Sequence, residues 1–312
     1  MSKDSTTLIA SRWQIVGTSI GGAHTTISIP ELRVAFDIGQ VTRESIKCDK
    51  VFISHGHTDH CSAFFQHLRK RTLAKLPAAT YIMPSIMENA MRKCFLAQHA
   101  MEKGIDSFDL EESDEEAEDN LSVKNLNLFP VTPGKYFQFE IAGNTYRVHC
   151  HVMTHRITSY AYTIETITWQ LKPRYVGLPP YLLATLREQH KDNAHYLFYK
   201  QKHIEIAYSG DTTIEGVLNN DKLLNAKVLL LECTILDDSV SEEQCHTRGH
   251  IHIQDLVTHW RYFRNEAIVL FHFSPRYSEM NVEAMVRKAL KTGGVPESFI
   301  NKVQVLFTNI NT

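Results

Sequence analysis

The chain has 312 residues, 43% of them apolar and 22% charged, which is ample material for a core in one large domain or two small ones. Its 33 Lys and Arg against 35 Asp and Glu give a formal net charge of −2, which excludes a polycation holding nucleic acid by bulk charge and leaves only local patches. No apolar run approaches the roughly 18–20 residues of a membrane span, residues 1–12 lack the apolar stretch of a secretory signal, and six cysteines without a CxxC pair read as free thiols in a reducing compartment.

In chain order, Trp13–Gly17, Thr25–Ile29 and Arg33–Gly39 are short β-branched and aromatic runs punctuated by Gly21-Gly22 and Pro30. They read as consecutive antiparallel strands. Val51–Ser54 is a fourth strand, stopped by a polar cluster from His55 to His60. Residues 61–72 read as a helix with Phe64, Phe65 and Leu68 on one face. Ala79–Met83 is a strand, and Ser85–Ala100 a helix of about four turns. From Asp106 to Asp119, nine of fourteen residues are acidic and none is basic. Such a block repels itself and buries nothing, so a solvated, mobile insertion is expected at 102–122. Strand-like runs resume at Tyr136–Ile141, Thr145–Cys150, Ser159–Ile164, Ile204–Tyr208 and Val228–Leu231. A helix over Gln254–Asn265, a strand over Ala267–Phe273 and a helix over Ser278–Lys291 complete the pattern. Strands, a helix pair, strands and a helix pair predict two similar halves, each a sheet with helices on its outer face.

Seventeen residues are histidine, the commonest metal ligand. Ser54-His55-Gly56-His57-Thr58-Asp59-His60 places three imidazoles and a carboxylate just past a strand. A loop there can turn alternate side chains into one cavity, and His nitrogen with Asp oxygen suits zinc or a similar divalent ion. One loop cannot close two metal sites, so further ligands must come from downstream. His155 follows a strand; His149 and His151 are alternatives that share one strand face. Asp211, after Gly210, stands at a strand end, and His272 is a polar residue inside the apolar run Leu270–Phe273.

These residues resemble the metallo-β-lactamase superfamily pattern of HxHxDH, a distant His, an Asp and a final His. Gly17-Thr-Ser-Ile-Gly-Gly22, Val34-Ala-Phe-Asp-Ile-Gly39, Tyr208-Ser-Gly-Asp-Thr212, Leu231-Glu-Cys-Thr-Ile-Leu-Asp-Asp238, Gly249-His-Ile-His-Ile253 and His272-Phe-Ser-Pro-Arg-Tyr277 look like the segments of the tRNase Z family. The likeness is to its short form, of the kind found in plants, and it spans essentially the whole chain outside the acidic insertion. It implies a single α/β domain over 1–312, a four-layer αβ/βα sandwich of the metallo-β-lactamase type. It further implies two zinc ions, with manganese or iron as alternatives. His55, His57 and His155 would hold one ion, and Asp59, His60 and His272 the other, with Asp211 bridging. Asp59, Glu232 and His250 are the implied catalytic residues, with His250 as proton donor and Glu232 orienting it; Ser274 and Arg276 are candidate substrate contacts.

The implied activity is that of an endoribonuclease that removes the 3′ trailer from precursor tRNA by attack of a metal hydroxide on the phosphodiester. It would leave a tRNA 3′-hydroxyl and a trailer 5′-phosphate. Residues 168–203 are the candidate tRNA-binding hairpin arm: Lys172, Arg174, Arg187, Lys191, Lys200 and Lys202 interleave with Trp169, Tyr175, Tyr181 and Tyr196, cations for phosphates and rings for bases. Precursor tRNA and a second copy in a homodimer are the expected partners, and the cytoplasm, or else the nucleus, the expected location, with no membrane. The competing reading is a hydrolase of the same fold acting on a small phosphodiester, thioester or lactone, since fold alone does not separate these chemistries.

Overall fold

A computed structural model describes residues 5–104 and 126–307; the acidic segment lies outside the described residues. Alternating apolar runs form two seven-stranded sheets. In the first, β1 (Thr6–Ala10), β2 (Trp13–Ile20), β3 (His24–Ile29) and β4 (Val34–Phe36) form an antiparallel meander. Then β5 (Lys50–Phe52), β6 (Thr80–Pro84) and β7 (Asn127–Val131) add in parallel to β4. The second sheet repeats the plan. The strands β8 (Tyr136–Ile141), β9 (Asn144–Met153), β10 (Ser159–Leu171) and β11 (Phe198–Tyr208) are antiparallel. After them β12 (Val228–Glu232), β13 (Ala267–Phe271) and β14 (Val303–Val305) run parallel to β11.

Parallel neighbours require crossovers, and these supply the helices: Phe64–Leu73 between β5 and β6, Glu88–Lys103 after β6, Ile253–His259 between β12 and β13, and Val282–Thr292 between β13 and β14. Inward side chains such as Ile15, Phe36, Phe52, Tyr162, Tyr208 and Phe271 fill the space between the sheets. Two further apolar clusters lie between each sheet and its helices, around Phe64, Tyr81 and Phe95 on one side and Leu229, Leu256 and Val286 on the other. The order is helix, sheet, sheet, helix: the expected four-layer sandwich in two similar halves.

Several boundaries move for local reasons. The strand expected over Arg33–Gly39 ends at Phe36 because Asp37 turns into the left-handed region at φ 56°. The helix expected over residues 61–72 is two pieces, Thr58–Cys61 and Phe64–Leu73. That expected over Gln254–Asn265 gives way after His259 to a single 3-10 turn, while Asn265 spends its amide on the carbonyls of Leu223 and Ala226. The last long helix starts at Val282, where the Asn281 side chain caps the Ala284 N–H. The short strands β1, β7 and β14 and the helix Pro180–Gln189 were not anticipated.

At one end β10 and β11 outrun β9. They stay paired from Tyr162 with Tyr208 to Leu171 with Phe198, whereas β9 pairs with β10 only as far as Ile167. The projecting hairpin carries the helix Pro180–Gln189. Among the described residues no helix is long and apolar enough to cross a membrane, and all six cysteines are free.

Candidate metal centre

The site lies at one edge of the sandwich, where strands from both sheets end. His55 follows β5, with His57 opening the short helix that carries Asp59 and His60. His155 lies between β9 and β10, Asp211 after β11, and His272 directly after β13 at φ 67°. Gly210 (φ +58°) lets the Asp211 loop close: a Cβ there would come within 2.9 Å of the Ser54 Cβ and of the Tyr160 carbonyl.

The seven predicted ligands converge. His55 Nε2 is 2.9 Å from His57 Nδ1 and 3.8 Å from Asp211 Oδ2, and His155 Nε2 is 3.3 Å from His57 Nδ1. His60 Nε2 is 3.2 Å from His272 Nε2 and 3.4 Å from both Asp59 Oδ2 and Asp211 Oδ2. His272 Nε2 lies 3.3 Å from Asp59 Oδ2 and 3.4 Å from Asp211 Oδ2. Ligand atoms around a tetrahedral ion with bonds of about 2.0–2.1 Å stand roughly 3.3 Å apart, so the spacing fits two cation positions that share Asp211. His149 and His151 stay on β9, the first against the Tyr136 ring and the second on Thr163 Oγ1.

The charge balance fits as well. Asp37, Asp59, Asp211 and Glu232 are all buried, and their ion-pair partners among the described residues are imidazoles. Asp211 Oδ1 is buried with no hydrogen-bond partner, a costly orphan unless a cation meets it. Burial keeps His55 well below the ordinary imidazole pKa, helped by neighbouring His60. It lowers His57 and His155 likewise, leaving lone pairs for a metal. Burial also opposes charge on His60, but Asp211 and Asp37 outweigh it and hold His60 well above its ordinary value. The positive charge they favour there is what a divalent ion would supply. Burial works to raise Asp211 and Asp59 too, yet His272 and His60 hold both below the usual carboxylate range.

Beside these groups, Glu232 is the last residue of β12 and is fully buried. Its Oε1 accepts from the Thr212 N–H (3.1 Å) and from His250 Nδ1 (3.0 Å). Burial disfavours charge on His250, but Glu232, then Asp211, lift its pKa to about 8. His250 lines a cleft of about 360 Å³ together with Gly22, His57, Asp59, Asp211 and His272. Ser274 and Arg276 are not among the residues that line the cleft; Arg276 donates to Ser274 Oγ and Ser239 Oγ.

Sequence reasoning missed Asp37. Its carboxylate accepts from Ser54 N–H (2.6 Å), Ser54 Oγ (2.8 Å), His60 Nδ1 (2.6 Å) and Tyr208 OH (2.5 Å). The available signal was an acid closing the apolar run Val34–Phe36. Also missed were the Gly22 N–H, which holds Asp59 Oδ2 at 2.8 Å, and Arg156, which lines the cleft.

The beta-lactamase superfamily domain matches residues 32–273. The chain is 33% identical to tRNase Z TRZ1 of Arabidopsis thaliana over 276 residues, 88% of this chain and 90% of that protein. It is 28% identical over 279 residues to the chloroplastic tRNase Z TRZ2 of the same plant, 88% of this chain and 72% of that protein. Among solved structures, the metallo-beta-lactamase fold protein YhfI from Bacillus subtilis superposes with a TM-score of 0.50 at 13% identity, covering 96% of this chain and 91% of that one.

Proposed function

Because the chain belongs to the beta-lactamase superfamily and, within it, to the tRNase Z family, we propose that it is a metal-dependent endoribonuclease that removes the 3′ trailer from precursor tRNA. The observation that carries this reading is the convergence on one cleft of two ligand groups sharing Asp211, next to the buried Glu232–His250 pair.

In this reading His55, His57 and His155 hold one zinc ion, Asp59, His60 and His272 hold a second, and Asp211 joins them. Bound there, the ions supply Lewis-acid activation of water and offset charge on the phosphodiester. The chain does the rest. Glu232 takes the Nδ1–H of His250 and leaves Nε2 for the cleft, so the imidazole is both oriented and inclined to carry a proton. As a water oxygen bonds to phosphorus and its proton passes to solvent, the bond to the 3′-oxygen breaks, His250 protonates that oxygen and is then reprotonated from solvent. The products are a tRNA 3′-hydroxyl and a trailer 5′-phosphate. The Gly22 N–H holds Asp59 in place, and Asp37 orients His60 through Nδ1.

The projecting hairpin supplies a surface for the tRNA body. Lys200 lies over the Trp169 ring and Arg174 over Tyr175 and Tyr196, and Tyr181 is 68% exposed, so cations and rings are presented together. A homodimer, with one subunit's arm serving the other's cleft, and a cytoplasmic location complete the proposal. Mapping the cut in a labelled precursor tRNA tests it: the wild type cuts at the start of the trailer, His57→Ala does not cut, and His250→Ala cuts slowly at the same position. Wild-type cleavage by His57→Ala would defeat the assignment.

A further inference from the structure

A hydroxyl group has one proton and a carboxylate only accepts. Two hydroxyls beside the site each sit between a carboxylate and an imidazole. Ser54 Oγ is 2.8 Å from Asp37 Oδ2 and 2.9 Å from His55 Nδ1. Thr234 Oγ1 is 2.9 Å from Glu232 Oε2 and 3.0 Å from His272 Nδ1. In each case the hydroxyl proton goes to the carboxylate, so the hydroxyl lone pair faces the imidazole and Nδ1 must carry the hydrogen. Nε2 of His55 and Nε2 of His272 are then bare, and these are the two atoms that stand among the other ligand atoms.

The two devices occupy equivalent places in the two halves. Ser54 lies two residues beyond Phe52, the end of β5, and Thr234 two residues beyond Glu232, the end of β12; each is the fifth strand of its half. The His272 ring has little freedom to rearrange. It rests against Gly21, where even a Cβ would come within 3.2 Å of Cε1, and its backbone N–H is held by Ser19 Oγ at 3.0 Å.

We infer that Ser54 and Thr234 are positioning residues, a matched pair of carboxylate–hydroxyl–imidazole relays that each fix the tautomer of one metal-binding histidine, one relay for each cation position. Through Thr234 the same carboxylate that orients His250 also sets His272, so proton donor and cation position share Glu232 as an anchor. The inference rests on His55 and His272 being ligands, as the proposed function has them.

The test is zinc affinity of the metal-free full-length chain, measured by competition with a chromogenic chelator. Thr234→Val keeps the shape and removes the hydroxyl. It should weaken one of two bound zinc ions by about 10–100-fold, the scale on which partners of metal-binding histidines act. Thr234→Ser should restore wild-type affinity, and Ser54→Ala should weaken the other ion. If Thr234→Val binds zinc like the wild type while His272→Ala loses an ion, the relay is wrong and the ligand assignment stands. If His272→Ala keeps both ions, the ligand assignment itself falls and the relay with it. Long-range nitrogen-15 spectra of histidine-labelled wild type give a readout that needs no variant to fold: Nδ1–H on His55 and His272 supports the relays, and Nε2–H on either overturns them.

Discussion

The two halves share one strand plan but contribute to the site in different ways. The first half delivers four of the seven proposed ligands from a single segment after β5, His55, His57, Asp59 and His60. The second delivers three from separate places: His155 after β9, Asp211 after β11 and His272 after β13. Each cation position would take two ligands from the first half and one from the second, with Asp211 shared. Neither half is a metal site alone, and the cations would sit on the seam between the sheets. In the proposed reading a repeated scaffold becomes a single reacting centre because its halves diverge at their strand ends while keeping the parallel strands that aim those ends at one edge.

Substitutions on either side of the seam probe that division. The largest effects should come from the ligands: His57→Ala in the first half and Asp211→Ala in the second should each abolish cleavage and reduce bound zinc. A half whose variant still cut would not be part of the centre. Next comes the proposed proton donor, His250, which belongs to the second half. His250→Ala should keep its metal and lose about 10²–10⁴-fold in cleavage rate, measured in single turnover at saturating zinc. Asp37→Ala probes the first half's buried anchor. It strands the donors Ser54 N–H, His60 Nδ1 and Tyr208 OH, and at about 1–3 kcal/mol for each buried group it should cost roughly 3 kcal/mol or more in urea unfolding. Unchanged stability would mean water reaches those groups.

The smallest effect is on pH, away from the metal. Burial pushes His67 in the first half down to about 4, between Tyr81 OH and the Ser45 carbonyl. Burial does the same to His151 in the second half. Their lowered values mean the unfolded chain binds protons that the folded chain refuses. Stability is therefore complete above pH 6.5 and falls as pH drops toward 4, by up to about 3 kcal/mol for fully buried His67. In His67→Gln the acid-side slope should be shallower by one proton; an unchanged slope would show that His67 is already charged in the folded chain.

The same contrast governs what could be read from the amino-acid order. His55 to His60 are contiguous, so their shared purpose was visible without a fold. His155 and Asp211 could be picked out as polar residues at strand ends and His272 as a polar residue inside an apolar run, but the family resemblance was needed to divide them between two ions. Asp37, Ser54 and Thr234 also stand just past apolar runs, but none lies in a pattern that names a role: their meaning lies in bonds to residues such as His60, Tyr208 and His272 from other strand ends, which exist only once the sheets assemble. Among elements, the apolar runs of β2, β10 and β13 and the two-half plan were legible. β7 was hidden by Pro130, which an edge strand tolerates, and β14 by its three-residue length.

Counting zinc per chain in a titration of metal-free wild type and Asp211→Ala tests whether two cations are held on the seam by a shared carboxylate. The wild type should bind two ions tightly, and both should weaken in the variant. Fewer than one ion in the wild type, or two undiminished sites without Asp211, would rule out the shared centre.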